Sequence, residues 1–241
     1  MSTAALLVIG NEILSGKVRD TNSPFLAVEL RKLGVDLERI VTIPDVIETI
    51  AREARALSRE FDYVFTSGGI GPTHDDLTMD GIALAFERKI VVHQSMIDRM
   101  ERYSDKPVND AMRKMAMIPD GAEVLDVGGL WFPVVVVENV HIFPGIPELF
   151  EKKFHSIRDR FAGVPFHLKK FYVRENESDI ADVLNALLRA FPELMLGSYP
   201  KINEADFRVL LTLESRDEDY LSRAVQTLAR ELPEGAIHRI E

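Results

Sequence analysis

Short apolar runs alternate with amphipathic stretches along the N-terminal part of the chain. The runs are strand-sized and end in glycine, proline or charged residues, which is typical of buried strands. Strands are predicted for residues 3–9, 35–43 and 63–65, and a long polar loop for residues 10–22. Helices are predicted after the strands, over residues 23–34, from Asp45 onward and over residues 78–87, with Thr78 as the N-cap. This β-α-β-α-β-α order predicts an α/β fold with a mostly parallel sheet covered by helices on both faces.

The middle of the chain predicts two more helices and a hairpin that returns to the sheet. Helices are predicted for residues 95–103 and 109–117, a turn for residues 119–121, a hairpin for residues 131–143, and a helix from residues 144–147 to about 161. We interpret Met112, Met115 and Met117 as core filler, because methionine fills irregular gaps in cores.

The pattern changes at Gly163-Val164-Pro165, which predicts a boundary between domains 1–163 and 164–241. In the second part, strands are predicted for residues 166–173, 194–199, 207–213 and 237–240, and helices for residues 178–191 and 217–232. The β-α-β-β-α-β order predicts a small ferredoxin-like α+β domain. We see no catalytic cluster in this half, so its expected role is packing, dimerisation or closure over a cleft in the first domain.

The composition narrows the classes of function. The net charge of −10 argues against a nucleic-acid or anionic-membrane partner, because such partners require a basic surface. The absence of cysteine excludes disulfides and thiolate sites and fits a cytoplasmic protein. No apolar run has the length of a membrane span, and we interpret the N-terminus as a first strand and not as a signal peptide.

The segment of residues 66–78 is the most informative in the chain. Three glycines and two adjacent aspartates, Asp75 and Asp76, separate a predicted strand from a predicted helix. Glycines at such a turn expose backbone N–H groups, which favour anions at a helix N-terminus. The carboxylates repel anions and favour a cation or a ligand with hydroxyl and ring-nitrogen groups. The pattern predicts a phosphorylated small molecule, although a plain turn with helix-capping aspartates remains an alternative.

Two other candidate motifs carry less chemistry. The segment Gly10 to Val18 imitates a phosphate-binding P-loop, but five residues separate its glycines and Val18 stands where Ser or Thr must reach Mg²⁺. No two histidines have the spacing of a helical zinc site, and His74 beside the aspartates is interpreted as a hydrogen-bonding neighbour.

Polar or glycine-rich loops follow several of the predicted parallel strands. They contain residues 10–22, Pro44-Asp45, residues 68–76 and Pro144-Gly145. Because ligands bind outside the carboxyl ends of parallel strands, we expect these loops to meet at one site.

These motifs together resemble the molybdopterin-binding MoaB/Mog domain family. The resemblance rests on the segments 9–16, 20–22, 44–45, 68–78 and 143–147, and it is nearest to the N-terminal region of the CinA family. A similar domain precedes the synthetase part of eukaryotic FAD synthase. Residues 164–241 resemble the small domain that follows in CinA proteins, and the C-terminal amidase domain of full-length CinA has no counterpart in this sequence.

The resemblance implies a three-layer α/β/α sandwich and a pterin or nucleotide phosphate at residues 68–72. The two aspartates on which Mog-type proteins rely fall on Asp45 and Asp76. In the CinA and FAD synthase branches, the domain is associated with metal-dependent hydrolysis of dinucleotide pyrophosphates such as ADP-ribose or FAD. Relatives commonly have small residues where this chain has the bulky segment 128–133 with Trp131, which would narrow the pocket or stack on a base.

Our leading hypothesis is therefore a divalent-metal-dependent nucleotide pyrophosphatase using Mg²⁺, Mn²⁺ or Co²⁺. The predicted catalytic residues are Asp45, Asp75 and Asp76, of which Asp75 and Asp76 are also the predicted metal ligands. The predicted ligand-binding residues are Gly10, Asn11, Glu12, Asp20, Asn22, Ser67, Gly68, Gly69, Gly71, Pro72, Thr73, Pro144 and Gly145.

Two rival hypotheses stay open, because one scaffold can host several functions. The first is a molybdopterin-binding or adenylyl-transfer protein of molybdenum cofactor biosynthesis, and the second is a ligand-binding module without catalysis. For any of them we expect a small-molecule nucleotide or pterin phosphate as partner, and a homo-oligomer, either a dimer or a trimer.

Overall fold

Parallel strands form the centre of the first of two structural units. The computed structural model describes residues 2–103, 107–127 and 132–241, and the chain divides into the units Met1–Gly163 and Val164–Glu241. The strands of the first unit are β1 (Thr3–Ile9), β2 (Asp36–Ile43), β3 (Tyr63–Ser67), β4 (Ile90–Val92), β5 (Met117–Pro119), β6 (Glu123–Leu125), β7 (Val134–Val137) and β8 (Val140–Phe143). Its helices are α1 (Asn11–Leu14), α2 (Asn22–Lys32), α3 (Ile47–Glu60), α4 (Thr78–Ala85), α5 (Gln94–Tyr103), α6 (Asp110–Met115) and α7 (Pro147–Ile157), followed by the 3-10 turn Arg158–Phe161.

The six-stranded sheet has the order β2-β1-β3-β8-β7-β6. The strands β2, β1, β3 and β8 are parallel, whereas β7 and β6 continue the sheet in antiparallel pairs. Side chains of β1 alternate between two cores, with Ala5 and Leu7 in one cluster and Leu6 and Val8 in the other. The predicted three-layer α/β/α fold is confirmed, because only a sheet covered on both faces buries successive residues in this way.

Several predicted elements required correction. The loop predicted for residues 10–22 contains the short helix α1. The helix predicted to reach Met117 ends at Met115, and Met117 begins β5, which pairs with β4 in a separate two-stranded sheet. Thr78 is the first residue of α4 and not its N-cap, and its hydroxyl donates to the carbonyl oxygen of Gly68 (2.8 Å).

The second unit is an antiparallel sheet with two helices. Its elements are β9 (His167–Val173), α8 (Glu177–Ala190), β10 (Met195–Pro200), β11 (Val209–Ser215), α9 (Glu218–Glu231) and β12 (Ile237–Ile240). The strand order β10-β11-β9-β12, with every neighbouring pair antiparallel, is that of a ferredoxin-like domain, as predicted. Apolar residues of α8 and α9 pack with those of β9 and β11 in one core. Among the helices that the structure describes, none is long and apolar enough to cross a membrane.

A buried histidine on β8 is held among aromatic rings of the first unit. The ring of His141 stacks on Phe65 at 5.5 Å between centroids and meets Phe161 edge-on at 4.9 Å. Burial lowers the pKa of His141 to about 4, because the apolar surroundings disfavour the imidazolium ion. The neutral ring is therefore part of the core.

We expect His141 to make the first unit sensitive to mild acid. Its pKa is about 4 in the folded protein and about 6.5 in an unfolded chain. Between these values only the unfolded state takes up the proton, so stability falls as the pH is lowered from 6.5 to 4. The loss is about 3 kcal/mol at most. Urea unfolding followed by tryptophan fluorescence should show a weaker pH dependence over this range for His141→Leu.

The matched control is His74→Leu, because the His74 side chain is 98% exposed. This variant should keep the wild-type slope of stability against pH. Equal slopes for His141→Leu and the wild type would show that another group causes the acid sensitivity.

Candidate functional site

Loops from several parallel strands meet at the carboxyl edge of the sheet in the first unit. The N–H of Asn11 donates to Asp45 Oδ2 at 2.8 Å, which joins the loops after β1 and β2. The N–H of Gly68 donates to the carbonyl oxygen of Phe143 at 3.2 Å. A Cβ atom at Gly145 would lie 3.3 Å from the Cα atom of Gly68, so the loops after β3 and β8 are in contact. The structure thus brings together the four predicted loops.

Asn22 links three of these loops. Its Nδ2 donates to Ser67 Oγ at 2.8 Å and to the carbonyl oxygen of Gly145 at 2.9 Å. The residue is 5% exposed, and within the described part of the chain its Oδ1 atom is buried without a hydrogen-bond partner. Asn22 therefore fixes the spacing of the loops, and a ligand or water can donate to its free oxygen.

Two of the predicted carboxylates accept hydrogen bonds from N–H groups at the starts of helices. Asp20 Oδ1 accepts from the N–H groups of Asn22 (3.0 Å) and Ser23 (3.1 Å), and the Ser23 hydroxyl contacts Asp20 Oδ2. Asp20 therefore satisfies donors in the first turn of α2. Asp45 does the same for α1 through its bond to Asn11. Glu12 lies in the first turn of α1, and its carboxylate folds back beside Gly10.

The turn Gly68–Gly71, which we call the glycine turn, contains backbone angles that are unfavourable for residues other than glycine. Gly68 and Gly69 have φ angles of +104° and +65°. A Cβ atom at Gly68 would overlap the carbonyl oxygen of Ile9, and one at Gly69 would overlap the hydroxyl of Thr78. In the described part of the chain, no acceptor pairs with the N–H of Gly69 or of Ile70. These two consecutive N–H groups are available to an anion.

Asp76 holds the far end of the glycine turn. Its Oδ1 accepts from the N–H of Gly71 at 2.6 Å. Its Oδ2 accepts from the N–H and the hydroxyl of Thr73 at 2.7 and 2.6 Å. The carboxylate is half-buried, so its first role in the structure is to shape the turn.

Asp75 has the opposite environment. Its side chain is 61% exposed, and Oδ1 lies 2.5 Å from the Thr73 hydroxyl, whose single proton it shares with Asp76 Oδ2. This hydrogen bond lowers the pKa of the Asp75 carboxyl below its ordinary value, so the group is ionised at neutral pH. His74 Nδ1 lies 4.0 Å from Asp75 Oδ1 and is otherwise exposed.

Two clefts flank the glycine turn. The first, the asparagine cleft, has a volume of about 80 Å³ and is lined by residues that include Glu12, Asp20, Asn22, Ser67, Gly68 and Gly145. The second, the methionine cleft, has a volume of about 190 Å³. Its apolar wall is formed by Met79, Ile90, Met115 and Met117, and its polar groups are Asp76, Asp80 and Lys114. Of the predicted site residues, Gly69, Gly71 and Asp76 line the methionine cleft, whereas the predicted catalytic residues Asp45 and Asp75 line neither cleft.

Two charged residues of the methionine cleft, Asp80 and Lys114, were not predicted from the sequence. Asp80 lies in the first turn of α4, and its position four residues after Asp76 was the available signal. Lys114 lies on α6, and its Nζ donates to the carbonyl oxygen of Thr73. No sequence spacing relates Lys114 to the glycine turn. The interpretation of Met117 as core filler is wrong, because it is 39% exposed at the methionine cleft.

The remaining predicted residues are less informative. Pro72 is exposed and Pro144 is buried beside the loops already described. Gly128, Gly129, Leu130 and Trp131 lie outside the described residues, so the prediction for the segment 128–133 stays a prediction.

At the end of that segment, buried Lys153 donates to the carbonyl oxygens of Phe132 and Pro133, the latter at 3.0 Å. Burial, together with the charge of Arg99, lowers the pKa of Lys153 to about 7.

A larger groove of about 470 Å³ lies on α3 and α4, where it is lined by Arg52, Arg55 and Arg59. It contains none of the predicted site residues. Two of the groups that Arg55 contacts are backbone carbonyls at the end of α4, at 2.6 and 3.3 Å. We therefore assign the candidate site to the two clefts at the carboxyl edge of the sheet.

The donors present fit a divalent cation only as a site shared with a ligand. No group of three or more His, Asp or Glu side chains that could hold a metal occurs among the described residues. Asp75 and Asp76 remain as adjacent carboxylates with lone pairs not used by the loop. Mg²⁺ is commonly held by one or two carboxylates together with water and the phosphates of a substrate.

Comparison with known proteins gives two family matches. Residues 5–161 match the family described as "Probable molybdopterin binding domain", and residues 165–241 match "FAD synthase, middle domain".

Two of the relatives match more than nine-tenths of this chain, one along most of its own length and the other along half of it. A protein from Archaeoglobus fulgidus is 37% identical over 92% of this chain and 94% of its own length. A "Probable FAD synthase" from Caenorhabditis elegans is 35% identical over 98% of this chain, which spans 50% of that relative. The crystal structure of the protein CinA from Thermoplasma acidophilum superposes with a TM-score of 0.62 and 25% identity, covering 67% of this chain and all of that one.

Proposed function

Because the chain belongs to the MoaB/Mog family of molybdopterin-binding-type domains, we propose that its glycine turn binds the phosphate of a nucleotide or pterin. We further propose that the protein hydrolyses the pyrophosphate bond of a dinucleotide such as FAD or ADP-ribose. The observation that carries the binding proposal is the pair of unpaired N–H groups at Gly69 and Ile70. Ile70 is buried and Gly69 is half-buried, and buried backbone donors are nearly always paired, so this open pair favours an anionic ligand.

The charges around the turn support a phosphate group and not a smaller anion alone. Lys114 uses one ammonium proton on Thr73, and its remaining protons can meet phosphate oxygens. The α4 N-terminus adds a partial positive charge on the same side. Without Lys114, the carboxylates of Asp75, Asp76 and Asp80 would repel the ligand.

Hydrolysis is supported by the two kinds of carboxylate at the turn. In the proposed reaction, water attacks one phosphorus atom, and the bond from that phosphorus to the bridging oxygen breaks. Exposed and ionised Asp75 accepts the proton that the water releases, while Asp76 keeps the turn in place. Asp45 acts indirectly, because it fixes the start of α1 beside Glu12.

A divalent cation fits this arrangement beside Asp75 and Asp76, with phosphate oxygens of the ligand and water as its other ligands. When bound, such an ion lowers the pKa of its water and neutralises charge that develops on the phosphate. The match of residues 165–241 to a domain of FAD synthase, and relatives with that name, support a flavin dinucleotide as one substrate. The family match of residues 5–161 favours molybdopterin as the alternative ligand.

The test is to incubate the purified protein with FAD, ADP-ribose and molybdopterin, each with Co²⁺, with Mg²⁺ and with a chelator. We expect metal-dependent formation of two monophosphates from FAD or ADP-ribose. Binding of molybdopterin without turnover of either dinucleotide would favour the cofactor-synthesis alternative. Neither binding nor turnover of any of the three would overturn the proposal. Light scattering of the same sample tests the proposed homo-oligomer.

A further inference from the structure

We propose that the methionine cleft binds the flat heterocycle of the nucleotide whose phosphate lies on the glycine turn, and that Asp80 selects a ring bearing an N–H donor. This inference rests on the proposed function and adds to it the part of the ligand that the cleft takes. A purine, a flavin and a pterin share the required chemistry, a planar apolar ring with N–H groups at its edge.

The apolar wall of the cleft is built from separate elements. Met79 comes from α4, Ile90 from β4, Met115 from α6 and Met117 from β5. Met79 and Met115 pack partly against the core behind them, whereas Met117 is 39% exposed. Thioether side chains are polarizable and adapt to flat aromatic surfaces. A wall of three methionines beside charged groups is therefore suited to a ring that carries polar atoms at its edge.

The size of the cleft indicates a part of a ligand and not a whole one. Its volume is about 190 Å³, whereas pockets that enclose a complete ligand are about 300–1,000 Å³. The rest of a dinucleotide must therefore lie outside the cleft. The glycine turn borders it on one side, so the phosphate would stay at the unpaired N–H groups of Gly69 and Ile70.

Asp80 supplies the polar contact for the ring. Within the described part of the chain its carboxylate has no hydrogen-bond or ion-pair partner, and it lines the cleft. Asp76, the other carboxylate of the cleft, already accepts three hydrogen bonds from Gly71 and Thr73. Lys114 lies in the same cleft, where its ammonium group complements the phosphate. The cleft therefore combines an apolar face, an acceptor for the ring and a cation for the phosphate.

The experiment uses calorimetry to compare probes that carry a planar aromatic heterocycle with a probe that has only a sugar and a phosphate. The probes are ADP, FMN and ribose 5-phosphate, and the variants are Met117→Ala, the double variant Met115→Ala/Met117→Ala, Asp80→Asn and Lys114→Met. We expect the double variant to bind ADP or FMN about tenfold more weakly, or worse, because it loses the apolar contacts to the ring. Its affinity for ribose 5-phosphate should stay unchanged, whereas Lys114→Met should weaken all three probes. Asp80→Asn should weaken ADP and FMN but not ribose 5-phosphate, and wild-type affinity of this variant for both ADP and FMN would overturn the role of Asp80.

Two matched controls come from α6, the helix that carries Lys114 and Met115. Met112→Ala removes a methionine of α6 that packs against the core but does not line the cleft. Arg113→Met removes the neighbouring exposed cation. Both should bind every probe as the wild type does. Met117→Ala removes the most exposed of the three methionines and keeps the test valid if the double variant does not fold.

The two proposals fail in different ways. A wild type that binds ADP and FMN no more tightly than ribose 5-phosphate overturns the ring site, even if turnover of a dinucleotide is established. The ring site is also overturned if Met117→Ala, the double variant and the wild type bind the ring-bearing probes with equal affinity. A wild type that binds none of the three probes, and turns over no dinucleotide, overturns the proposed function as well. Preference for ADP or for FMN identifies the ring that the cleft accepts.

Discussion

Replacement of the turn-holding carboxylate, Asp76→Asn, is expected to lower the proposed pyrophosphatase activity about 100-fold or more, because the turn loses its shape and the proposed cation loses a carboxylate. Both oxygens of Asp76 accept N–H donors, from Gly71 at 2.6 Å and from Thr73 at 2.7 Å. An asparagine must direct its NH₂ group at one of these donors, so one bond is lost and two donors face each other. The glycine turn then loses the shape that presents Gly69 and Ile70. We also expect a loss of stability of about 0.5–1.5 kcal/mol, the net contribution of one hydrogen bond, because Gly71 is half-buried and Thr73 is exposed.

Asp75→Asn is the matched control for the structural part of this effect. Asp75 is exposed and accepts from the Thr73 hydroxyl, to which an asparagine oxygen can still bond. We expect wild-type stability for Asp75→Asn, with activity reduced if Asp75 is the proton acceptor. Activity and urea unfolding measured on both variants separate the two roles. Near-wild-type turnover in both would exclude a carboxylate-centred mechanism at the turn.

The largest effect on stability is expected from Gly68→Ala. The φ angle of +104° is unfavourable for alanine, and the new Cβ atom would overlap the carbonyl oxygen of Ile9 at the end of β1. Because the obstacle is backbone in the central sheet, a side-chain rotation cannot relieve it. We expect a loss of about 3 kcal/mol, the sum of backbone strain and overpacking. Chemical denaturation followed by tryptophan fluorescence would measure this loss.

Gly16→Ala provides the comparison. Gly16 also has a positive φ angle, +70°, but no atom lies within 4 Å of a Cβ atom placed there. It should therefore lose only the backbone part, about 1 kcal/mol. Equal losses for the two variants would show that the close contact between Gly68 and β1 does not constrain the turn.

The parallel part of the fold was predictable because its inner strands β1, β3 and β8 are buried on both faces. Residues 4–9 form an unbroken apolar run, and helices cover both sides of it. The strands β4, β5 and β6 have three residues each, too few to establish a period of two. Their pairing depends on contacts between distant segments, which a local pattern does not contain.

The site, like the fold, was predictable only where it depends on the order of the parallel strands. Loops after parallel strands must converge, so the meeting of Asn22, Ser67 and Gly145 follows from the strand order. Lys114 reaches the turn through α6, whose position depends on tertiary packing. Met115 and Met117 were interpreted as core because sequence does not distinguish a methionine that covers a core from one that faces a ligand.

The pairing of β3 with β8 has a consequence for the synthesis of the chain. Val64 pairs with Val140 and Ser67 with Phe143, so residues 68–139 must leave the ribosome before β3 obtains its second neighbour. Until then, the nascent sheet of β2, β1 and β3 exposes the edge of an apolar strand, which is a template for pairing with other chains. The interval between translation of β3 and of β8 is therefore when the nascent protein most needs a chaperone, and rare codons placed within it would lengthen that exposure.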